Sequence, residues 1–229
     1  MPKPKTLIIL IALLLLTALS FVTYRLDRAT KEKVYDKAEA PGGAQVKRGV
    51  KPEPDAEAVV LEVESGGFSY GRIVIELYPN VAPLMVERFK RLVREGFYDG
   101  TAFHRINPRS GVLQGGDPNS KDEDPSNDGM GGSPYSAVPA EFSDIPFDRG
   151  IVGAARAQGV NSANSQFYIT LRRVPQWDAQ YTVFGKVIEG MNNADAIAGA
   201  PTQPAHPENP AEKIVIKRAT LQPRANFAH

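Results

Sequence analysis

The 229-residue chain contains no cysteine, which excludes disulfides, Cys-ligated zinc, iron–sulfur clusters and a thiol nucleophile. An oxidising compartment stays open, because a protein there can dispense with thiols. Histidine is scarce. His104, His206 and His229 are too scattered to suggest a metal site, and neither metal nor cofactor is expected. A large net charge is missing too: 27 Lys+Arg stand against 26 Asp+Glu, a balance of +1. That argues against a broad nucleic-acid-binding surface. No G-x-S-x-G elbow accompanies His104 and Asp117, so a Ser-His-Asp hydrolase lacks support. Gly129, Gly131 and Gly132 lie inside a polar loop, which does not support a phosphate cradle. What is plentiful is Gly (20) and Pro (19), the mark of a turn-rich fold, with a 42% apolar share sufficient for one core.

The near-neutral total hides a division. Residues 1–51 hold ten basic and four acidic residues, a balance of +6 that leaves −5 on the remainder. Within this arm, Thr6 to Tyr24 forms 19 uncharged, almost wholly apolar residues, about the length a helix needs to cross a hydrocarbon core. Residues 1–24 are read as one apolar helix, an uncleaved signal anchor that places the body on the outer (periplasmic or extracellular) side. A secretory signal cleaved near Ala18-Leu19-Ser20 is the alternative. Residues 25–56 are charged, then rich in Gly, Pro and Ala, and read as a flexible spacer. Residues 57–222 form the globular domain and 223–229 a C-terminal tail.

In the domain, Ala58–Glu64 and Gly71–Leu77 are β-branched and partly alternating, separated by Ser65-Gly66-Gly67, which predicts a hairpin. Pro83–Glu95 changes period: Met85, Phe89 and Leu92 make a helical stripe, with Pro83 in the first turn and Gly96 as the stop. Further strands are expected at 101–107, 112–114, 150–155, 166–171, 182–188 and 213–221, and a short helix at 191–198. About eight short strands with two helices, not alternating, predict an antiparallel barrel or sandwich capped by helices.

The densest stretch is Phe103-His104-Arg105-Ile106, followed by Gln114-Gly115-Gly116-Asp117. A regular strand puts Phe103 and Arg105 on one face and His104 on the other. Taken singly, an Arg on a strand is most often a surface residue, and His104 a hydrogen-bonded structural one. Asn161-Ser162-Ala163-Asn164-Ser165-Gln166-Phe167-Tyr168-Ile169 and Trp177 to Val187 place aromatics beside amides, a pattern that ordinary core and polar turns also produce.

Taken in order, Phe-His-Arg-Ile, Gln-Gly-Gly-Asp-Pro, Asn-Ser-x-x-Ser-Gln-Phe-Tyr-Ile and Val-Phe-Gly-Lys-Val resemble the cyclophilin family of peptidyl-prolyl cis–trans isomerases. The resemblance spans about residues 58–221. It implies a mainly β fold, a closed eight-stranded antiparallel barrel capped by two α-helices, with the groove on its outside. It assigns Arg105 as catalytic and Gln114 and Gln166 as holders of the peptide backbone. Val112 and Tyr168 would wall the proline pocket, Trp177 and Tyr181 would form its far rim, and Arg156 and Ala157 would run beside the bound peptide. Phe103 and His104 would support the site. Partners implied are proline-containing polypeptides, with the membrane engaged through the N-terminal helix and the protein a monomer. The alternative is a non-catalytic or weakly catalytic proline-peptide binding or chaperone module. Three features depart from the family pattern: the stretch from Arg105 to Gln114 is one residue longer, Ser110 or Gly111 stands where a phenylalanine usually floors the pocket, and the loop after Asp117 carries an acidic insertion around Asp122 to Asp128.

Overall fold

The computed structural model describes residues 35–36, 43–107 and 109–227. The predicted N-terminal helix and the first part of the spacer lie outside them. Among the described residues no helix is long and apolar enough to cross a membrane.

Eight strands form one antiparallel sheet: β1 (Glu57–Ser65), β2 (Phe68–Leu77), β3 (Arg105–Asn107), β4 (Val112–Gly115), β5 (Ile151–Ala154), β6 (Phe167–Thr170), β7 (Val183–Glu189) and β8 (Val215–Pro223). Their spatial order is β8-β1-β2-β7-β5-β6-β4-β3. Alternation along β1 serves two apolar layers at once. Val59, Leu61 and Val63 face the main core, while Ala58 and Val60 pack with Val74 and Phe227 on the other side.

Helix α1 (Pro83–Arg94) buries Met85, Val86, Phe89, Leu92 and Val93 and carries Arg91 and Arg94 in its last turn, where cations suit the helix dipole. Its leading N–H groups find an acceptor far along the chain, since the Glu141 carboxylate takes hydrogen bonds from Leu84 N (3.1 Å) and Met85 N (2.9 Å). Helix α2 (Met191–Ala198) begins at Gly190, which is left-handed with φ 89°; a Cβ there would lie 2.1 Å from the Arg72 carbonyl oxygen. Phe89, Tyr98, Phe103, Phe167 and Phe184 interlock at the centre, with ring centroids 5.0–6.1 Å apart.

The expected closed barrel is not formed. The sheet is curled, and its edges approach through one bridge, Ala102 to Val215. Flanking it are hydrogen bonds Gly100 N to Ile216 O (2.8 Å), Ile216 N to Thr101 O (2.7 Å) and Phe103 N to Ile214 O (2.8 Å). Beyond Phe103 the chain turns to pair with β4, and a hairpin of Thr202–Gln203 with His206–Pro210 borders β3 instead of β8. The same turn breaks the expected alternation over 101–107. Phe103 is buried in the core, while Arg105 projects outward from a strand that starts only there.

Part of the expected spacer is fastened to the domain. Val46–Lys47 pairs in parallel with Phe142–Ser143, and Lys47 Nζ donates to Val81 O at 2.6 Å. Asn80 bridges Lys51 and Glu53, and Lys90 on α1 forms a salt bridge to Asp55 at 2.7 Å.

Candidate active site

Three neighbouring strands carry the site on the outer face of the sheet. In β3, Ile106 points into the core and leaves Arg105 and Asn107 outward; in β4, Leu113 points in and leaves Val112 and Gln114 outward. In β6, Phe167 and Ile169 belong to the core, and Tyr168 belongs to the outer apolar cluster. The register pairs Arg105 with Gln114 and Gln114 with Tyr168. A guanidinium, an amide and an aromatic ring therefore stand in line across the sheet.

A row of polar side chains runs from one loop to another. Gln166 Nε2 donates to Gly129 O (2.9 Å) and Gly131 O (2.8 Å). Its Oε1 accepts from Gln114 Nε2 at 3.0 Å, which turns the Gln114 carbonyl toward Arg105 Nη1 at 3.5 Å. Arg105 Nε in turn forms a 2.6 Å ion pair with Glu208 Oε2. The hydrogen bond from Arg105 holds the Glu208 carboxyl below the ordinary carboxylate range. The loop end of the row is tightly packed: Asp117 Oδ2 accepts from Gly131 N, and a Cβ at Gly131 would lie 2.2 Å from Asp117 Oδ1. Gln114, Gln166, Arg156, Ala157, Met130 and Asn164 help line a cavity of about 200 Å³ beside this row.

Next to the row stands an aromatic wall. Tyr168 lies 4.8 Å from Trp177, 5.9 Å from Tyr181 and 6.0 Å from Phe147, measured between ring centroids. Val112 completes the cluster. The turn carrying Trp177 and Tyr181 is pinned by Asp178, which accepts from Phe147 N at 2.8 Å and pairs with Arg173. Tyr168 needs its neighbour to be glycine, since a Cβ on Gly153 would lie 2.5 Å from the Tyr168 hydroxyl oxygen. Arg156 lays its guanidinium over Tyr181, 4.7 Å from the ring centroid, and donates to the Ala157, Gln158 and Gln180 carbonyls. Gly111 has φ 79°, and a Cβ there would meet the aliphatic stem of Arg172 at 2.7 Å.

The structure thus brings together Arg105, Gln114 and Gln166 as the row, Val112, Tyr168, Trp177 and Tyr181 as the wall, and Arg156 and Ala157 at the cavity. Phe103 is a core residue behind the site, in contact with Phe167. His104 is 6% exposed, and burial together with the positive charge of Arg105 pushes its pKa down against the pull of Asp117. No sequence signal marks Glu208, which lies 103 residues from its partner in a proline-rich stretch without apolar periodicity. No group of three or more His, Asp or Glu among the described residues is arranged to hold a metal ion.

Residues 59–221 match the family model described as cyclophilin type peptidyl-prolyl cis-trans isomerase/CLD. A probable peptidyl-prolyl cis-trans isomerase of Brucella suis is 41% identical over 186 residues, covering 79% of this chain and 89% of that protein. A peptidyl-prolyl cis-trans isomerase of Acinetobacter baylyi is 35% identical over 159 residues, covering 66% of this chain and 80% of that one. Among solved structures, a Cryptosporidium parvum cyclophilin type peptidyl-prolyl cis-trans isomerase, determined in the presence of the dipeptide Ala-Pro, superposes with a TM-score of 0.62 at 29% identity. It covers 72% of this chain and 98% of that one.

Proposed function

The chain belongs to the cyclophilin-type peptidyl-prolyl cis–trans isomerase family, and we propose that Arg105 drives its reaction, on X-Pro bonds of exported or membrane-associated polypeptides. Isomerase activity itself goes with the family. The donor, the groove and the clients are our reading.

Rotation about an X-Pro bond faces a barrier of about 18–20 kcal/mol, because resonance gives the C–N bond partial double-bond character. No bond to the enzyme is needed. Resonance weakens when the prolyl nitrogen pyramidalises, and a fixed cationic donor near that nitrogen favours the twisted state. Arginine suits the role because it stays charged and its donors form a rigid fork. Gln114 and Gln166 would hold the flanking peptide backbone while Tyr168, Trp177, Tyr181 and Val112 keep water from the proline ring. A dry wall strengthens the guanidinium's effect. Bringing an exchange of tens of seconds to about 10 s⁻¹ takes roughly 3–4 kcal/mol of differential stabilisation, within reach of one placed guanidinium.

The observation that carries this reading is the register Arg105–Gln114–Tyr168, which sets donor, backbone clamp and apolar wall side by side. The test is exchange NMR on a labelled proline peptide with the full-length chain in detergent micelles. Wild type should accelerate cis–trans exchange and Arg105→Ala should not, at unchanged fold; equal rates for both would refute the Arg105 mechanism. One observation favours a second reading, a binding module: Ser110 or Gly111 stands where the family usually has a phenylalanine. Its signature is peptide binding with exchange at the uncatalysed rate.

For location, the apolar stretch Thr6–Tyr24 supports a membrane anchor, with the domain placed outside by analogy with signal anchors. N-terminal sequencing of the membrane fraction should return Met1 or Pro2. A start beyond Ser20 would mean a cleaved signal and a secreted domain.

A further inference from the structure

We propose that Glu208 is a positioning residue for the isomerisation: its carboxylate holds the Nε edge of Arg105 so that the rest of the guanidinium is presented to the bound prolyl amide. This rests on the reading of Arg105 as donor and adds a residue from an element outside the matched motifs.

Both carboxylate oxygens are engaged. Oε2 accepts from Arg105 Nε at 2.6 Å, and Oε1 accepts from Asn107 Nδ2. Asn107 is itself oriented, because its Oδ1 accepts from Ser110 N at 2.9 Å. Arg105 and Asn107 are i and i+2 on β3, so they project from the same face and the carboxylate spans them like a strap. The hairpin that carries Glu208 is anchored at its ends. The hairpin is closed by Gln203 Nε2 to Pro210 O (3.1 Å) and Ala211 N to Pro201 O (2.8 Å), and Lys213 just beyond it binds the Asp122 carbonyl and Glu123.

The pair is poorly placed to serve stability. The Arg105 and Glu208 side chains are 41% and 39% exposed, a setting in which ion pairs contribute little to folding. Its effect falls on geometry instead. Gln114 meets Nη1 only at 3.5 Å, too long to orient the group alone. Nη2 makes no hydrogen bond among the described residues, so with Glu208 on the Nε edge the N–H groups on the far side of the guanidinium, between Nη1 and Nη2, are presented to substrate. Misplacing a reacting group by about 1 Å can cost on the order of a hundredfold in rate, so a strap on a long side chain has a measurable consequence.

The test compares wild type, Glu208→Gln, Glu208→Ala and Arg105→Ala as full-length chains in micelles, using exchange NMR on one proline peptide, thermal melting and the Arg105 Nε–Hε resonance. Glu208→Ala should lower kcat about tenfold with KM nearly unchanged, and Glu208→Gln, which keeps one acceptor, should fall between it and wild type. Melting should move little, and the Hε resonance should shift and exchange faster with water. A Glu208→Ala kcat within about twofold of wild type, or above it, overturns the proposal; a rise would make the carboxylate a brake on Arg105. An unchanged Hε signal overturns it as well. If wild type itself shows no acceleration, the isomerase reading fails first and the positioning role goes with it, a result distinguishable because the baseline is already flat.

Discussion

The aromatic wall and the polar row adjoin on one face of the sheet, yet they are built on opposite principles. The rings of the wall meet mostly through contacts close in sequence: Tyr168, Trp177 and Tyr181 fall within 14 residues of chain and touch one another edge-on or tilted, with Tyr168 and Trp177 against Phe147 and Tyr168 over Gly153. The row is assembled from distant ones, since Arg105 reaches Glu208 across 103 residues and Gln114 reaches Gln166 across 52. Packing holds the first, and directional bonds at half-exposed positions hold the second. Damage to the wall should therefore register in stability, and damage to the row in rate.

Arg105→Ala offers the sharpest break. It should lower kcat/KM by about 10²–10³-fold, in line with removal of a principal electrostatic donor, while thermal unfolding stays near wild type. Gly153→Ala attacks the other side. The added Cβ drives against the Tyr168 ring, so denaturant titration should show a loss of about 1–3 kcal/mol, with activity falling as the wall shifts. A variant as stable as wild type would mean that the wall yields more readily than its packing suggests. Gln114→Ala should cut kcat/KM roughly tenfold by removing one clamp, with no comparable change in the unfolding midpoint.

Two smaller effects sharpen the contrast. The Tyr168 hydroxyl is buried without a hydrogen-bond partner among the described residues, and burial pushes its pKa up. Tyr168→Phe should then be neutral or stabilising by up to about 1 kcal/mol in chemical denaturation, with activity retained. Glu208 tests the row through pH. Its folded pKa lies below the ordinary glutamate value, because Arg105 hydrogen-bonds the charged form. Its small contribution to stability is therefore complete above that value and is lost as pH falls through the depressed folded pKa. Carbon-detected titration should show the depression in wild type and its relief in Arg105→Ala, while near-UV circular dichroism of the wall stays constant over the same range.

Local chemistry made much of the fold readable. Pro83 with the Met85–Phe89–Leu92 stripe marks α1 to within one residue of its end, and Met191–Ala198 is helical as expected. The β-branched runs of β1 and β2 announce themselves in the same way. Elements whose reason is tertiary were not readable. The hairpin at 202–210 is interrupted by Pro204 and Pro207, which suggest coil until it borders an edge strand that needs no continuous ladder. Residues 101–104 have strand-like composition but are drawn into a crossing between β8 and β4, so Phe103 and Arg105 part company. Val46–Lys47 has too little apolar pattern to announce a strand, and pairs only because Phe142–Ser143 is there to receive it.

The sequence by itself determined the family, the two helices, most strand positions and the residue types brought to the groove, because these depend on periodicity, turn chemistry and ordered motifs. Only the tertiary structure decided that the sheet curls without closing, that the end of the spacer is strapped to the domain, and that a carboxylate from a remote hairpin meets Arg105. Each of those depends on which edges come together in space. A half-exposed ion pair leaves no periodic trace in the chain that makes it.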